Sequence, residues 1–131
     1  MNVDRARAIA RGILSVAMIG IGALHFVAPA PFAAMIPSAL PSHLALVYVS
    51  GVAEITGGAG LQIPRLRRAA SWGLIALYLA VFPANVNMAL HDLPLGDYHP
   101  SSFALWARLP FQLVFIAWAF WVGKPDAKPR A

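Results

Sequence analysis

Basic residues in this chain occur at alternate junctions between four long apolar runs. They form three clusters, which are Arg5, Arg7 and Arg11; Arg65, Arg67 and Arg68; and Lys124, Lys128 and Arg130. The connections 29–42 and 91–101 contain no Lys or Arg. Because Lys and Arg are retained in the cytoplasmic loops of membrane proteins, this alternation predicts four membrane-spanning helices with both termini in the cytoplasm.

The composition supports an all-α fold, a polytopic transmembrane four-helix bundle that forms one domain over residues 1–131. The chain is 60% hydrophobic and 11% charged, whereas a soluble domain carries about 25% charged residues. A bilayer core about 30 Å thick needs about 20 helical residues. The predicted spans are residues 12–28, 43–63, 69–90 and 102–123, followed by a disordered tail from about residue 124.

Composition also indicates which molecules this protein contacts and which chemistry it lacks. The net charge of +5 comes from the basic clusters, and it indicates contact with anionic headgroups of the lipid bilayer. No basic patch with interleaved aromatic residues is present, so we do not expect nucleic acid as a partner. The chain contains no cysteine and therefore cannot by itself perform dithiol–disulfide chemistry.

Two segments near the N-terminus allow alternative interpretations. The first run followed by Ala28-Pro29-Ala30 resembles a cleavable signal peptide, but we expect a retained span because Pro31 would follow the cleaved bond. The connection 29–42 has four prolines together with apolar residues. It predicts a short helical turn that either caps the bundle or anchors it at the membrane interface.

Two charged residues lie inside the predicted spans, and such residues usually face the bundle interior and have partners. At about 1.5 Å per residue, Glu54 lies about 16 Å and Arg108 about 9 Å below the outer surface. The long Arg108 side chain can reach towards Glu54, which predicts an ion pair. Either this pair holds the helices together, or one or both residues bind a ligand or a proton.

Other polar residues fall in the same outer half of the predicted bundle. Gln112 lies four residues after Arg108 and shares its helix face. Candidates for the same polar site are Asn85, His25 and Tyr48. Asn85 and Asn87 are two residues apart, so we expect at most one of them to line a pocket. We expect His25 to be a core histidine, we predict no metal site, and no catalytic residue is assigned.

Several blocks in order resemble the DoxX-like family of small four-span bacterial membrane proteins. These blocks are GALHF (22–26), YVSGVAE (48–54), LQIPRLRR (61–68), VFPANVNMA (81–89) and RLPFQ (108–112). The resemblance implies a multi-pass protein of the bacterial cytoplasmic (inner) membrane. It also implies a link to redox or sulfur metabolism, because relatives include a small subunit associated with thiosulfate:quinone oxidoreduction and a maturation protein for methylamine oxidation.

These observations favour a non-catalytic subunit or small-molecule-binding protein over an enzyme. No cofactor is assigned, but a quinone is a candidate ligand, because its ring suits apolar walls and its carbonyls suit hydrogen-bond donors. Subunits of a membrane redox complex and a second copy of this chain are candidate partners. The alternatives are a structural or assembly subunit and, less favoured, an oligomeric transporter of protons or a small solute.

Overall fold

The computed structural model describes residues 2–94 and 97–128 and contains five helices. They are α1 (Val3–Val27), α2 (Pro29–Met35), α3 (His43–Gln62), α4 (Arg67–His91) and α5 (Ser102–Val122). The four longer helices are long and apolar enough to cross a membrane. The predicted all-α architecture with four such helices is therefore confirmed, and α2 provides the helical turn expected in the connection 29–42.

The four long helices form a closed bundle. α1 packs most extensively on α3, α3 packs on α4, α4 packs on α5, and α5 returns to α1. We call the end where α1 begins, α3 joins α4 and α5 finishes the basic end, because among the described residues it carries Arg5, Arg7, Arg11, Arg65, Arg67, Arg68, Lys124 and Lys128. The opposite end, which we call the far end, holds α2 and the connection between α4 and α5.

Apolar side chains occupy both the inside and the outside of the bundle. The main core includes Leu14, Leu61 and Leu74, each at most 1% exposed. Large apolar side chains also point outward, including Val16, Leu79, Leu113 and Phe103. A hydrophobic outer surface suits helices that contact lipid, because hydrocarbon does not penalise exposed apolar groups.

Helices α1 and α3 approach each other closely where two glycines face one another. A Cβ atom on Gly22 would lie 2.8 Å from the carbonyl oxygen of Gly51, and a Cβ atom on Gly51 would lie 2.9 Å from the carbonyl oxygen of Gly22. Only residues without a side chain permit this distance between the two backbones. The contact brings His25, one turn beyond Gly22, next to Glu54.

The residues after α5 are held against the basic end by buried arginines. The Asp126 carboxylate accepts from Arg11 Nη2 at 2.9 Å and from Arg67 Nη1 at 3.0 Å. Arg11 and Arg67 are only 3% and 8% exposed. Arg7 donates to the carbonyl oxygen of Pro125 and lies over the Trp121 ring. We refer to Arg7, Arg11, Arg67 and Asp126 as the tail clasp.

The structure can be compared with two predicted boundaries at this end, the start of the first span and the start of the C-terminal tail. The apolar run predicts a first span from about residue 12, and α1 itself begins earlier, at Val3, where the Asn2 side chain caps the helix by accepting from the Arg5 N–H. We predicted a disordered tail from about residue 124. Residues 124–128 have no helical structure, yet Asp126 is anchored by two ion pairs. The rest of the predicted tail, residues 129–131, lies outside the described residues.

Substitution of Gly22 by alanine should destabilise the bundle by about 1–3 kcal/mol, because the added methyl group meets backbone atoms that cannot move aside. Gly20→Ala is the matched control. A Cβ atom on Gly20 meets nothing within 4 Å, so that variant should be neutral or more stable by up to about 1 kcal/mol. Thermal unfolding of both variants in the same detergent measures the difference, and equal stabilities would contradict the close approach.

Asp126→Asn should destabilise the folded state by about 1–2 kcal/mol, because water only partly replaces the carboxylate between two buried guanidinium groups. Asp4→Asn is the control. Asp4 pairs with one arginine, Arg7, three residues later on the same helix, and such a local pair contributes under about 1 kcal/mol.

The effect of Asp126→Asn should also depend on pH. The hydrogen bond from Arg11, together with the charges of Arg11 and Arg67, holds the pKa of Asp126 below its ordinary value. The carboxylate therefore contributes fully above the unfolded pKa of about 3.9 and loses its contribution as pH falls through the lower folded pKa. Denaturation curves should show a constant stability difference between wild type and variant at pH 5–7, and a shrinking difference below about pH 4.

Candidate functional site

A cavity of about 300 Å³ lies in the bundle and is lined by residues from all five helices. Most of its wall is apolar. The apolar and aromatic wall residues are Met18, Ile21, Phe32, Met35, Ile36, Val47, Tyr78, Val81, Ala84 and Phe115. The polar residues that line it are His25, Ser50, Glu54, Asn85, Arg108 and Gln112.

Glu54 and His25 form the ionisable pair of the cavity. His25 Nδ1 lies 3.1 Å from Glu54 Oε2 and 2.8 Å from the carbonyl oxygen of Ile21. Because a carbonyl oxygen can only accept, the Nδ1 hydrogen is directed to Ile21. Within the described residues, Glu54 Oε2 is buried and has no hydrogen-bond partner. The carboxyl group is therefore close to the imidazole without receiving a directed hydrogen bond.

Arg108 does not form the predicted ion pair with Glu54. Among the described residues, the basic side chain within 4 Å of the Glu54 carboxyl group is His25, while Arg108 Nη1 donates to the sulfur of Met88 at 3.3 Å. The physical reason lies in the glycine contact between α1 and α3, which places the imidazole of His25 within reach of the acid. Arg108 and Glu54 nevertheless line the same cavity, so both side chains face one space.

Two amide side chains form a hydrogen-bonded chain along one wall. Asn85 Nδ2 donates to Gln112 Oε1 at 3.0 Å, and Gln112 Nε2 donates to the carbonyl oxygen of Tyr78 at 2.6 Å. Pro83 lies within α4 and lacks an N–H group, so the carbonyl group of Leu79 loses its helical donor. The carbonyl that accepts from Gln112 is that of Tyr78, one residue earlier. These bonds join α4 to α5 and orient both amides at the cavity.

Helix α2 covers the cavity. The Phe32 ring stacks on the His25 ring with a centroid distance of 4.0 Å. Asn87 Nδ2 donates to the carbonyl oxygen of Met35 at 3.0 Å and so holds the end of α2 against α4. Asn85 lines the cavity whereas Asn87 does not, in line with their two-residue spacing. These contacts give α2 the capping position that was one of the two predictions for the connection 29–42.

Five of the six residues predicted for the polar site line this cavity, and Tyr48 does not. The Tyr48 ring stacks on Phe26 with a centroid distance of 5.2 Å. Tyr48 and Glu54 are six residues apart, which is about 240° further around the helix at 3.6 residues per turn. Ser50 was not predicted, although its spacing of four residues from Glu54 places it on the same face.

Tyr78 and Phe32 were also missed by sequence reasoning. Tyr78 donates its hydroxyl to the Met18 sulfur at 3.2 Å, and its backbone accepts from Gln112. An apolar run gives no signal that separates a cavity-lining aromatic residue from a lipid-facing one.

The site can hold a small molecule by hydrogen bonds but offers little for metal binding. Within residues 2–94 and 97–128, no three His, Asp or Glu side chains are placed to hold a metal ion. Arg108 can only donate hydrogen bonds and a carboxylate at Glu54 can only accept them. The cavity thus combines apolar walls with a guanidinium group that donates hydrogen bonds and a carboxyl group that accepts them when ionised.

Comparison with known proteins gives a family but no activity. No curated protein and no solved structure matches the chain. A family profile described as "Domain of unknown function (DUF8561)" matches residues 14–123. This segment includes most of α1 and all of α2, α3, α4 and α5. The chain therefore belongs to the DUF8561 family.

Proposed function

We propose that this protein is a non-catalytic membrane protein that binds a small, lipid-soluble aromatic molecule, with a quinone as the leading candidate. One observation carries the proposal. His25, Glu54, Asn85, Arg108 and Gln112 come from four different helices, yet all line one cavity with apolar walls. Polar groups that converge on an apolar pocket are the usual arrangement of a small-molecule site.

The size and lining of the cavity support a ligand of one or two rings. An engineered protein cavity of about 150 Å³ binds benzene, so about 300 Å³ accommodates a substituted ring. Phe32 and Phe115 supply aromatic surfaces for such a ring. Arg108, whose one described hydrogen bond ends on a weak sulfur acceptor, has further N–H groups for a ligand oxygen.

The resemblance to the DoxX-like family implies a link to redox metabolism, so we include in the proposal that the protein works together with redox enzymes. In that role the protein would present or store a quinone for a membrane redox complex in the bacterial cytoplasmic membrane, alone or as a homo-oligomer. No residue in the cavity has the arrangement of an activated nucleophile, so we assign it no catalysis. The alternative is a structural or assembly subunit, in which the His25–Glu54 pair only sets the packing of α1 on α3.

We further propose that the basic end faces the cytoplasm and the cavity lies nearer the opposite surface. Support comes from the charges: Arg5, Arg65, Arg68 and Lys124 join the tail clasp at one end of the bundle. Lys and Arg within short connections set the orientation of membrane proteins. The ligand would then reach the cavity from the outer half of the bilayer.

Tetramethyl-1,4-benzoquinone should raise the unfolding temperature of the purified protein in detergent. At about 100 times its Kd, a ligand stabilises the folded state by about 2.7 kcal/mol. Arg108→Met should weaken binding at least tenfold, because a hydrogen bond from a charged donor is worth about 1.5–3 kcal/mol. Titration calorimetry measures the affinity directly.

Arg68→Met is the matched control for the quinone experiment. Arg68 is exposed at the basic end, and its loss removes the same charge without touching the cavity, so quinone affinity should be unchanged. If the quinone binds neither wild type nor variants, and the protein instead purifies with a defined membrane partner, the assembly-subunit alternative is favoured.

The absence of cysteine from the chain permits a direct test of orientation by single-cysteine labelling. Ser38 is exposed at the far end and Ile63 is exposed at the basic end. A membrane-impermeant maleimide applied to intact spheroplasts should label the Ser38→Cys variant, and should label Ile63→Cys only after permeabilisation. The opposite labelling pattern would show that the basic end faces outward.

A further inference from the structure

The Glu54 carboxyl group is an acceptor that the bundle leaves without a donor. Its Oε2 atom is buried and, within the described residues, makes no hydrogen bond. The nearest nitrogen, His25 Nδ1 at 3.1 Å, directs its hydrogen to the carbonyl oxygen of Ile21. A buried acceptor without a partner is destabilising by about 1–3 kcal/mol, and the side chain that carries it also lines the cavity, so a donor group of a ligand there can stabilise the carboxyl group.

Three polar side chains around the cavity already use one donor elsewhere. The Tyr78 hydroxyl donates to Met18, the Asn85 amide donates to Gln112, and the Gln112 amide donates to the backbone of Tyr78. These three bonds join wall residues to one another and do not include Glu54, although each amide keeps a second N–H and Ser50 carries a hydroxyl. A hydroxyl or N–H group of a ligand in the cavity is a further source of the donor that Glu54 Oε2 lacks.

Arg108 requires a hydrogen-bond acceptor from the ligand, whereas Glu54 requires a donor. A guanidinium group has only donors, and the described acceptor for Arg108 is the thioether sulfur of Met88 at 3.3 Å. Thioether sulfur is a weak acceptor, so an oxygen atom of a ligand would be a better partner. The ligand that suits the cavity carries at least one donor for Glu54 and at least one acceptor for Arg108.

The charges in the cavity favour a neutral ligand. A cation beside Glu54 would face the guanidinium of Arg108 in the same space, and an anion beside Arg108 would face the Glu54 carboxylate. Apolar and aromatic walls add a further penalty for a charged ligand, which must leave water. A hydroxyl group meets both polar requirements without charge, because it donates one hydrogen bond and accepts others.

We infer that the ligand is a neutral aromatic alcohol, a phenol or hydroquinone, whose hydroxyl donates to Glu54. This inference rests on the proposed function and refines it, since it selects the hydroxyl-bearing form of the ring over the quinone. The two carbonyl groups of a quinone only accept hydrogen bonds. They can satisfy Arg108 but leave the acceptor at Glu54 unpaired.

The test compares 2,3,5,6-tetramethylphenol with its methyl ether, which keeps the ring and the oxygen acceptor but lacks the donor. Titration calorimetry in detergent, corrected with protein-free micelles, should show that wild type binds the phenol roughly ten- to hundredfold more tightly than the ether. Glu54→Leu should abolish this preference. Glu54→Gln, which retains a neutral acceptor in the same shape, should reduce it and remains informative if Glu54→Leu does not fold.

Arg108→Met is the matched variant that removes the hydrogen-bond donor for the oxygen atom of the ligand. It should weaken the binding of the phenol and of the ether by the same factor, because both carry the oxygen that Arg108 would contact. The ratio of the phenol affinity to the ether affinity should therefore stay at the wild-type value.

Equal binding of phenol and ether to wild type, with tetramethyl-1,4-benzoquinone still bound, would overturn the inference and leave the proposed function standing. A phenol preference that survives in both Glu54 variants would overturn the role of Glu54. Failure of all three compounds to bind would overturn both proposals.

Discussion

The contact between Gly22 and Gly51 is the constraint on which the candidate site depends. It lets the backbones of α1 and α3 meet at a distance that excludes a Cβ atom on either residue. Between lipid-exposed helices no hydrophobic force drives association, so close van der Waals packing must supply it. Because α1 and α3 are locked at this point, an imidazole and a carboxyl group from different helices lie 3.1 Å apart.

This pairing determines which groups remain open in the cavity. With His25 as the neighbour of Glu54, Arg108 is left with the sulfur of Met88. An arginine bonded directly to the acid would have neutralised both charges and closed the space between them. Instead, α2 covers a cavity in which an acceptor and a donor remain separate, and this separation is the basis for expecting a neutral ligand with both kinds of group.

The candidate residues were partly predictable because charge and helical spacing carry information. A polar side chain in an apolar run is expensive in lipid and therefore faces the interior, which correctly brought Glu54, Arg108 and His25 to one cavity. Tyr48 was misplaced because depth was considered without the angle around the helix. The partner of Glu54 was also wrong, since side-chain reach along the membrane normal does not reveal which helices are neighbours.

The sequence by itself determined the number and approximate limits of the apolar helices, because burial in hydrocarbon demands about 20 apolar residues per span. It also placed the basic clusters at alternate connections. Only the tertiary structure decided that His25 accompanies Glu54, that α2 caps the cavity, and that Asp126 bridges Arg11 and Arg67. These contacts join residues far apart in the chain, and they depend on helix rotation and close approach, which hydrophobic patterning leaves undetermined.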